Sequence, residues 1–185
     1  MERHDEEIIA QVGKIIVKSG IESLSPERLA RDLNIDQQTL PCHCETTEEI
    51  LLTMLESLER ELNQLVNTAK QQNFSSEKEL NYLFKNLYFL FNTKPYYLTL
   101  IFSAELLNKS PEIQELLWRI KIGAKHYLLQ IINHGQEDKV FKSTRTAKSL
   151  AVSILGSFRL FMNQQRLLNK MVSETQAIKN KSPAD

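Results

Sequence analysis

The sequence is poor in loop-forming residues, and it lacks the motifs by which many enzymes are identified. Only five glycines and five prolines occur among 185 residues, and most of the prolines stand where a helix would begin. No glycine-rich phosphate loop and no nucleophile elbow is present, and the four histidines are scattered. We therefore predict an all-α chain with short connections and no enzymatic activity.

Long apolar runs are also missing. No stretch approaches the roughly eighteen apolar residues that a membrane-spanning helix requires. The first seven residues are mostly charged and lack the basic and apolar regions of a signal peptide. With 42% hydrophobic and 25% charged residues, the composition is that of an ordinary globular protein. We expect a cytoplasmic protein without a membrane partner.

Cysteine is scarce as well, because the chain has only Cys42 and Cys44, with His43 between them. The spacing is not that of a zinc site, and no second pair of cysteines or histidines completes four ligands. We therefore expect two reduced thiols, with Cys44 buried, and neither a metal nor another cofactor. A redox switch between the two thiols is the alternative.

Residues 20–51 contain cap and turn residues that are typical of short helices separated by a tight turn. Ser25 can cap a first helix that has Pro26 at its first position, where a missing N–H costs nothing. Asn34 can end that helix, and Ile35 fills the turn that follows. These signals predict the first half of a helix-turn-helix motif.

The second half of the motif follows directly. Asp36 can cap a second helix that begins at Gln37. The polar side chains of this helix would face base edges in the major groove. Thr46 and Glu49 then form a Thr-x-x-Glu capping box, which opens a third and longer helix.

This spacing resembles the DNA-binding domain of the TetR/AcrR family of bacterial transcriptional regulators. The resemblance covers roughly the first 50 residues, and it is carried by Gly20, Leu29, Ala30, Leu33, Ile35, Thr39, Leu40, Glu48, Glu49, Ile50 and Leu51. It implies a three-helix DNA-binding domain over residues 1–46 and a larger helical regulatory and dimerisation domain over residues 47–175. We expect residues 176–185, which lack apolar periodicity at their end, to form a frayed tail.

Six polar residues of the first domain are candidates for contacts with operator DNA. They are Ser25, Arg28, Gln37, Gln38, Thr39 and His43. Glutamine can pair bidentately with adenine, and the others can reach bases or phosphates.

Three positions depart from the family pattern. Pro41 and Thr47 stand where the family has an aromatic residue and a lysine that hold phosphates, and Cys44 stands in place of a packing phenylalanine. Pro41 also removes a hydrogen bond to the Gln37 carbonyl, so we expect the second helix to kink or stop there.

The charge distribution opposes DNA binding too. Residues 1–50 contain five lysines and arginines against eleven acidic residues, a formal charge of −6 that the rest of the chain balances. Affinity for duplex DNA comes largely from cationic side chains that displace counterions. One alternative to an operator-binding repressor is therefore a dimeric helical protein of the same fold whose DNA binding is weakened or lost and which acts through a ligand or protein partner.

The central helices are rich in aromatic residues, and in the family this region encloses an inducer. The resemblance implies a cavity for a small apolar or aromatic inducer, lined by Phe84, Tyr88, Tyr97, Phe102, Trp118 and His126. An ordinary hydrophobic core is the alternative interpretation.

Two long amphipathic segments, 111–133 and 144–171, predict a helical hairpin near the C-terminus. Family members commonly dimerise by packing two such helices from each subunit into a four-helix bundle. The resemblance thus implies a homodimer, with Ala147, Ala151, Ile154 and Phe158 at the interface; a hairpin within one chain is the alternative.

Together, these patterns favour a TetR-like regulator, a repressor that binds operator DNA as a dimer and is released by a small-molecule inducer.

Overall fold

The computed structural model describes the backbone of residues 2–179, together with the side chains of residues 6–168 and of Met171. This part of the chain is all-α and contains no strand, which confirms the predicted fold class. Its helices are α1 (Glu2–Ser19), α2 (Pro26–Leu33), α3 (Thr47–Gln71), α4 (Ser76–Thr93), α5 (Tyr96–Phe102), α6 (Pro111–Glu137) and α7 (Ala147–Lys179). Short 3₁₀ turns cover Ile21–Ser23, Gln37–Thr39, Cys42–Cys44 and Glu105–Asn108.

Local side-chain chemistry sets both ends of α2 as predicted. The Ser25 hydroxyl accepts the Arg28 backbone N–H at 3.2 Å, and Pro26 occupies the first turn. Asn34 adopts the left-handed conformation, with φ 56°, and ends the helix. Gly20, which lies between α1 and α2, has φ 86°, a conformation that a residue with a Cβ rarely adopts.

The capping box predicted for α3 is also present. The Thr46 hydroxyl accepts the Glu49 N–H at 3.2 Å, while the Glu49 carboxylate accepts the Thr46 N–H at 2.8 Å. The next helix, α4, has Ser75 as its cap residue, and the Glu79 N–H donates to the Ser75 carbonyl.

The helix α5, which starts after Pro95, ends at Phe102, because the Ser103 hydroxyl accepts the N–H groups of Glu105 and Leu106 and starts a 3₁₀ turn.

The helix α6 continues to Glu137, four residues past its predicted end at 133, and a residue in the left-handed conformation follows at Lys139. Gly135 in its last turn is required because the Phe141 ring packs against it, and an added Cβ would lie 2.2 Å from that ring.

Two clusters of buried side chains hold the helices together. The larger cluster joins α1, α2, α3, α5 and the first turns of α6 without interruption, so the apolar core is continuous across residue 46. The smaller cluster lies at the other end of the body, where α3, α4, α6 and α7 meet. The predicted division at residue 46 stays a prediction.

The chain near its C-terminus is helical for longer than expected. The helix α7 begins at Ala147, three residues later than Thr144, and continues past Met171 to Lys179. The remainder of the predicted frayed tail, 180–185, lies outside the described residues. Across the described helices, none combines the length and the apolar character needed to cross a membrane.

Candidate functional site

The segment of residues 37–44, called here the reading segment, occupies the place of the second helix of the helix-turn-helix motif. The prediction of an α-helix here was wrong. Two 3₁₀ turns take its place, Gln37–Thr39 and Cys42–Cys44, and Pro41 lies between them.

Proline chemistry accounts for this break. Leu40 adopts an extended conformation, with ψ 142°, because the ring of a following proline disfavours the α region. The Gln37 carbonyl accepts the Leu40 N–H at 3.1 Å, whereas an α-helix would need the N–H that Pro41 lacks. Sequence reasoning foresaw a kink at Pro41 but not the loss of the whole helix.

Several of the predicted DNA contacts are engaged within the protein. Arg28 donates to the Ser19 hydroxyl at 2.8 Å and to the Ser23 carbonyl at 3.4 Å, and Ser25 caps α2. The Gln37 amide donates to Glu27 at 3.4 Å, and the Thr39 hydroxyl donates to the Asp36 carbonyl at 2.6 Å.

The other two candidates differ in exposure. Gln38 is exposed, whereas His43 is half-buried and its carbonyl accepts the Thr53 hydroxyl. The structure brings Gln37, Gln38 and Thr39 together on one exposed turn, with Ser25 and Arg28 on the neighbouring helix. It does not arrange them along a helix face that could enter a groove.

Acidic side chains surround the reading segment. Glu27, Asp36 and Glu45 are all exposed next to it. A hydrogen bond with Ser25 lowers the pKa of Glu27, which therefore stays ionised. These carboxylates oppose the approach of a phosphate backbone.

The two other departures from the family pattern have structural roles. Cys44 is completely buried, as predicted, and belongs to the larger cluster of buried side chains. The Thr47 hydroxyl donates to the Leu24 carbonyl at 3.2 Å and ties the start of α3 to the segment before α2.

The second candidate site is a cavity of about 520 Å³ in the helical body, bounded by α3, α4 and α6 with Leu155 of α7. Its lining includes Ile120 of the larger core cluster and Leu83 and Leu128 of the smaller one. The volume falls within the range of small-molecule sites. Its apolar lining consists of Leu62, Leu65, Val66, Leu83, Phe84, Leu87, Ile120, Gly123, Ala124, Leu128 and Leu155.

Of the six predicted ligand contacts, the structure places only Phe84 and His126 in this cavity. Tyr97 is fully buried and bonds to Ser57 and Glu61, while Phe102 lies under the Arg159 guanidinium. Trp118 and Tyr88 are 59% and 41% exposed, respectively. The cavity therefore lies among the predicted central helices, but four of the six predicted side chains do not line it, and the ligand contacts stay a prediction.

Polar groups that the sequence did not suggest lie along the cavity. Arg119 of α6 forms a bidentate pair with Glu59 of α3, at 2.6 and 2.9 Å. Hydrogen bonding to Arg119 lowers the pKa of Glu59. These residues are 60 positions apart, so no local pattern could have linked them.

The other polar end of the cavity is built around Tyr127. The Lys70 ammonium lies 5.6 Å from the centre of the Tyr127 ring, and the tyrosine hydroxyl donates to Glu79. Burial is the main cause that raises the pKa of Tyr127. Nearby, His126 Nε2 lies 3.1 Å from the amide nitrogen of Gln130.

A third feature is an exposed apolar face on α6 and α7. Its members are spaced so that they fall on one side of each helix. They are Trp118, Ile122, Val152, Leu160, Leu167 and Met171. Gly156 belongs to the same row, and a Cβ added to it would meet no atom within 4 Å.

The predicted interface residues lie on the opposite side of α7. Ala147 and Ala151 are buried in the core of their own chain, and Ile154 packs against the same cluster. The Phe158 ring contacts Phe84 and Phe91. Within the described residues, no group of His, Cys, Asp and Glu side chains could hold a metal ion.

No family model matches the sequence, and neither does any curated protein sequence. Solved structures do match. The ketosteroid transcriptional regulator KstR2 of Mycobacterium tuberculosis superposes with a TM-score of 0.75 at 13% identity, over 86% of this chain and 82% of that one. The TetR family transcriptional regulator PfmR from Thermus thermophilus gives 0.72 at 20% identity, over 84% of each chain.

A third match, AibR in complex with isovaleryl coenzyme A and operator DNA, has a TM-score of 0.72 at 14% identity, over 86% of this chain and 85% of that one. The chain thus has the fold of TetR-family transcriptional regulators over most of its length.

Proposed function

We propose that this protein is a ligand-responsive transcriptional regulator of TetR type that works as a homodimer in the cytoplasm. The observation that carries the proposal is the position of the cavity against α3, since this helix also anchors the reading segment. Thr53 of α3 donates to the His43 carbonyl at 3.3 Å, and Thr47 holds the chain before α2. A ligand that shifts α3 would therefore shift the reading segment.

The fold gives this proposal its context. One protein of the same fold is described with both an acyl-coenzyme A and operator DNA bound. The cavity here has a suitable volume, and it is mostly apolar. A small apolar or aromatic inducer is therefore our first expectation for its occupant.

A second copy of the chain is the partner we propose for the exposed face of α6 and α7. Contiguous apolar surface of this kind typically marks an interface, and a two-fold dimer would bury it against itself. Leu160, at 66% exposure, is the best residue to test. We expect Leu160→Glu to yield a monomer in sedimentation equilibrium, while Gln64→Glu, which adds the same charge at an exposed position of α3, leaves the dimer intact.

The reading segment favours a second candidate function. Its missing helix and the acidic residues around it are specific reasons to expect a regulator of the same fold that binds DNA weakly or not at all. Such a protein would act through its ligand or through another protein.

Binding to DNA from around the protein's own gene separates the two functions. We would titrate the full-length protein at low and moderate salt, with bulk DNA as competitor. Saturable binding that survives the competitor and weakens with salt supports the operator-binding regulator. An absence of binding at low salt supports the second candidate.

The double substitution Pro41→Tyr with Thr47→Lys sharpens the same test. It restores a hydrogen-bonding N–H to the reading segment and adds the two phosphate-contacting residue types. An operator-binding regulator should gain modestly in affinity, whereas a protein that has lost the function should acquire binding that the wild type lacks. The single substitution Thr47→Lys controls for added charge without restoring the helix.

A further inference from the structure

One polar group of the cavity, Arg119, already binds a carboxylate of the protein itself, that of Glu59. Arg119 donates to the two oxygens of the Glu59 carboxylate through Nε and Nη2. This is the bidentate geometry in which guanidinium groups commonly bind carboxylates. Both residues line the cavity. A carboxylate on a bound molecule could meet the same two donors if Glu59 moved aside.

Releasing Glu59 should require little energy. The Arg119 side chain is 55% exposed and that of Glu59 is 22% exposed, so the pair lies at the rim of the cavity, where water screens it. Water weakens ion pairs at such positions, and the incoming carboxylate would replace the two hydrogen bonds that Arg119 gives up when Glu59 leaves. The exposure also leaves Arg119 open to an incoming anion.

The apolar lining extends away from this pair along two parallel paths. On α6, the lining continues from Arg119 to Tyr127, about 12 Å at the rise of an α-helix, and on α3 it continues from Glu59 to Lys70, about 16 Å. Gly123 has no side chain, and Ala124 has only a methyl group, so the α6 wall is shallow enough to admit an extended chain. The shape and chemistry suit a molecule with a charged head and a long apolar tail.

We propose that the ligand is a carboxylate with an extended apolar chain, and that its carboxylate displaces Glu59 from Arg119 while its chain lies along α3 and α6. This inference rests on the proposed ligand-responsive function and specifies the ligand class. The Glu59–Arg119 pair links α3 to α6. Binding of the ligand therefore removes one contact that restrains α3, the helix that anchors the reading segment.

Calorimetric titration of the full chain with dodecanoate and dodecanol tests the proposal, since the two probes share an apolar chain and differ in charge. We expect dodecanoate to bind wild type at least tenfold more tightly than dodecanol. Arg119→Gln should abolish this advantage and leave dodecanol affinity unchanged. Glu59→Gln, which removes the competing carboxylate, should tighten dodecanoate binding several-fold.

Three further variants define the site of the headgroup. Arg60→Gln changes the same charge on the neighbouring position of α3, outside the cavity lining, and should preserve the dodecanoate advantage. Lys70→Gln, at the other end, should reduce that advantage less than Arg119→Gln does. Arg119→Lys retains the charge without the fork and should recover part of the binding. Circular dichroism checks that each variant is folded.

Equal affinity for the two probes, or an advantage that persists in Arg119→Gln, would overturn the carboxylate assignment. Binding of dodecanol would in that case leave the proposed ligand-responsive function standing with a neutral ligand. If neither probe binds, and neutral Nile red does not bind either, the cavity is not a ligand site and both proposals fail.

Discussion

Helix α2 and the reading segment occupy the two helical positions of one motif, yet different interactions hold them in place. In α2 the Ser25 cap fixes one end, Asn34 fixes the other, and the intervening Leu29 and Ala30 are buried. The reading segment has only Leu40 and Cys44 buried, with Pro41 between them and exposed polar residues on the rest of its surface.

The difference separates the scaffold of the motif from its working surface. The scaffold is retained, because its residues belong to a core that continues into the body. The surface that would read DNA is neither helical nor basic. The core that holds this motif in place therefore does not depend on the surface that would contact a partner.

The largest expected effect comes from removing a core side chain of α2. Leu29 is completely buried, so Leu29→Ala should lower the free energy of unfolding by about 2–5 kcal/mol. Gln38→Ala, on the exposed surface of the reading segment, should change it by less than about 0.5 kcal/mol. Urea denaturation measures both, and equal losses would mean that the reading segment is packed as firmly as α2.

The next largest effect on stability is expected where α1 packs against α5. A Cβ at Gly13 of α1 would lie 2.3 Å from the Tyr96 ring of α5, so Gly13→Ala should cost about 1–3 kcal/mol in unfolding free energy. Gly123→Ala on α6 is the matched control, because an added Cβ there meets no atom within 4 Å and should stabilise the helix by about 0.5–1 kcal/mol. A neutral Gly13→Ala would show that α1 can shift away from the body.

Alkaline pH should weaken the buried junction between α3 and α5. Burial raises the pKa of Tyr96 to about 12, and it also raises the pKa of Tyr97, which bonds to Ser57. Above about pH 10 these tyrosines ionise in the unfolded chain but stay neutral in the folded one, so the folded state binds more protons and stability falls as pH rises. The loss is at most about 1.4 kcal/mol per pH unit for each tyrosine.

Denaturation series between pH 9 and 12 measure this slope. Tyr97→Phe should make the slope shallower, even though the loss of its hydrogen bonds lowers stability at every pH. An unchanged slope would mean that Tyr97 ionises as readily in the folded protein as in the unfolded chain.

The smallest expected change in stability comes from the two cap positions of the motif, Ser25 and Asp36. Ser25→Ala removes the hydrogen bond to the Arg28 N–H and should cost about 1 kcal/mol. Asp36 makes no such bond to the turn that follows it, so Asp36→Ala should change stability by less than about 0.5 kcal/mol. Thermal unfolding of the two variants under one set of conditions checks this, and equal losses would contradict the comparison.

Much of the fold could be predicted because its signals are local. The Ser25 cap, the left-handed Asn34 and the Thr46–Glu49 capping box each act within four residues, and all are present. The end of α6 is an exception: the helix continues past residue 133 to Glu137, and the ring of Phe141 packs against Gly135 after the chain turns back, a contact that no local signal predicts.

The candidate sites were harder to predict. Apolar periodicity identified α7 as amphipathic but could not say which side faces its own chain, and Ala147 and Ala151 proved to be buried there. The cavity residues Glu59 and Arg119 are ordinary charged residues on two predicted helices, and nothing in their immediate neighbours distinguishes them.

The sequence by itself determined the helical fold class, the cap and turn of the motif and the acidic balance of the first 50 residues. These depend on hydrogen bonds between near neighbours and on a sum of charges. Only the tertiary structure decided where the cavity lies, that Arg119 meets Glu59 there, and which face of α7 is exposed. Such contacts arise when the chain closes on itself across about 60 residues, and side-chain packing rather than local preference selects them.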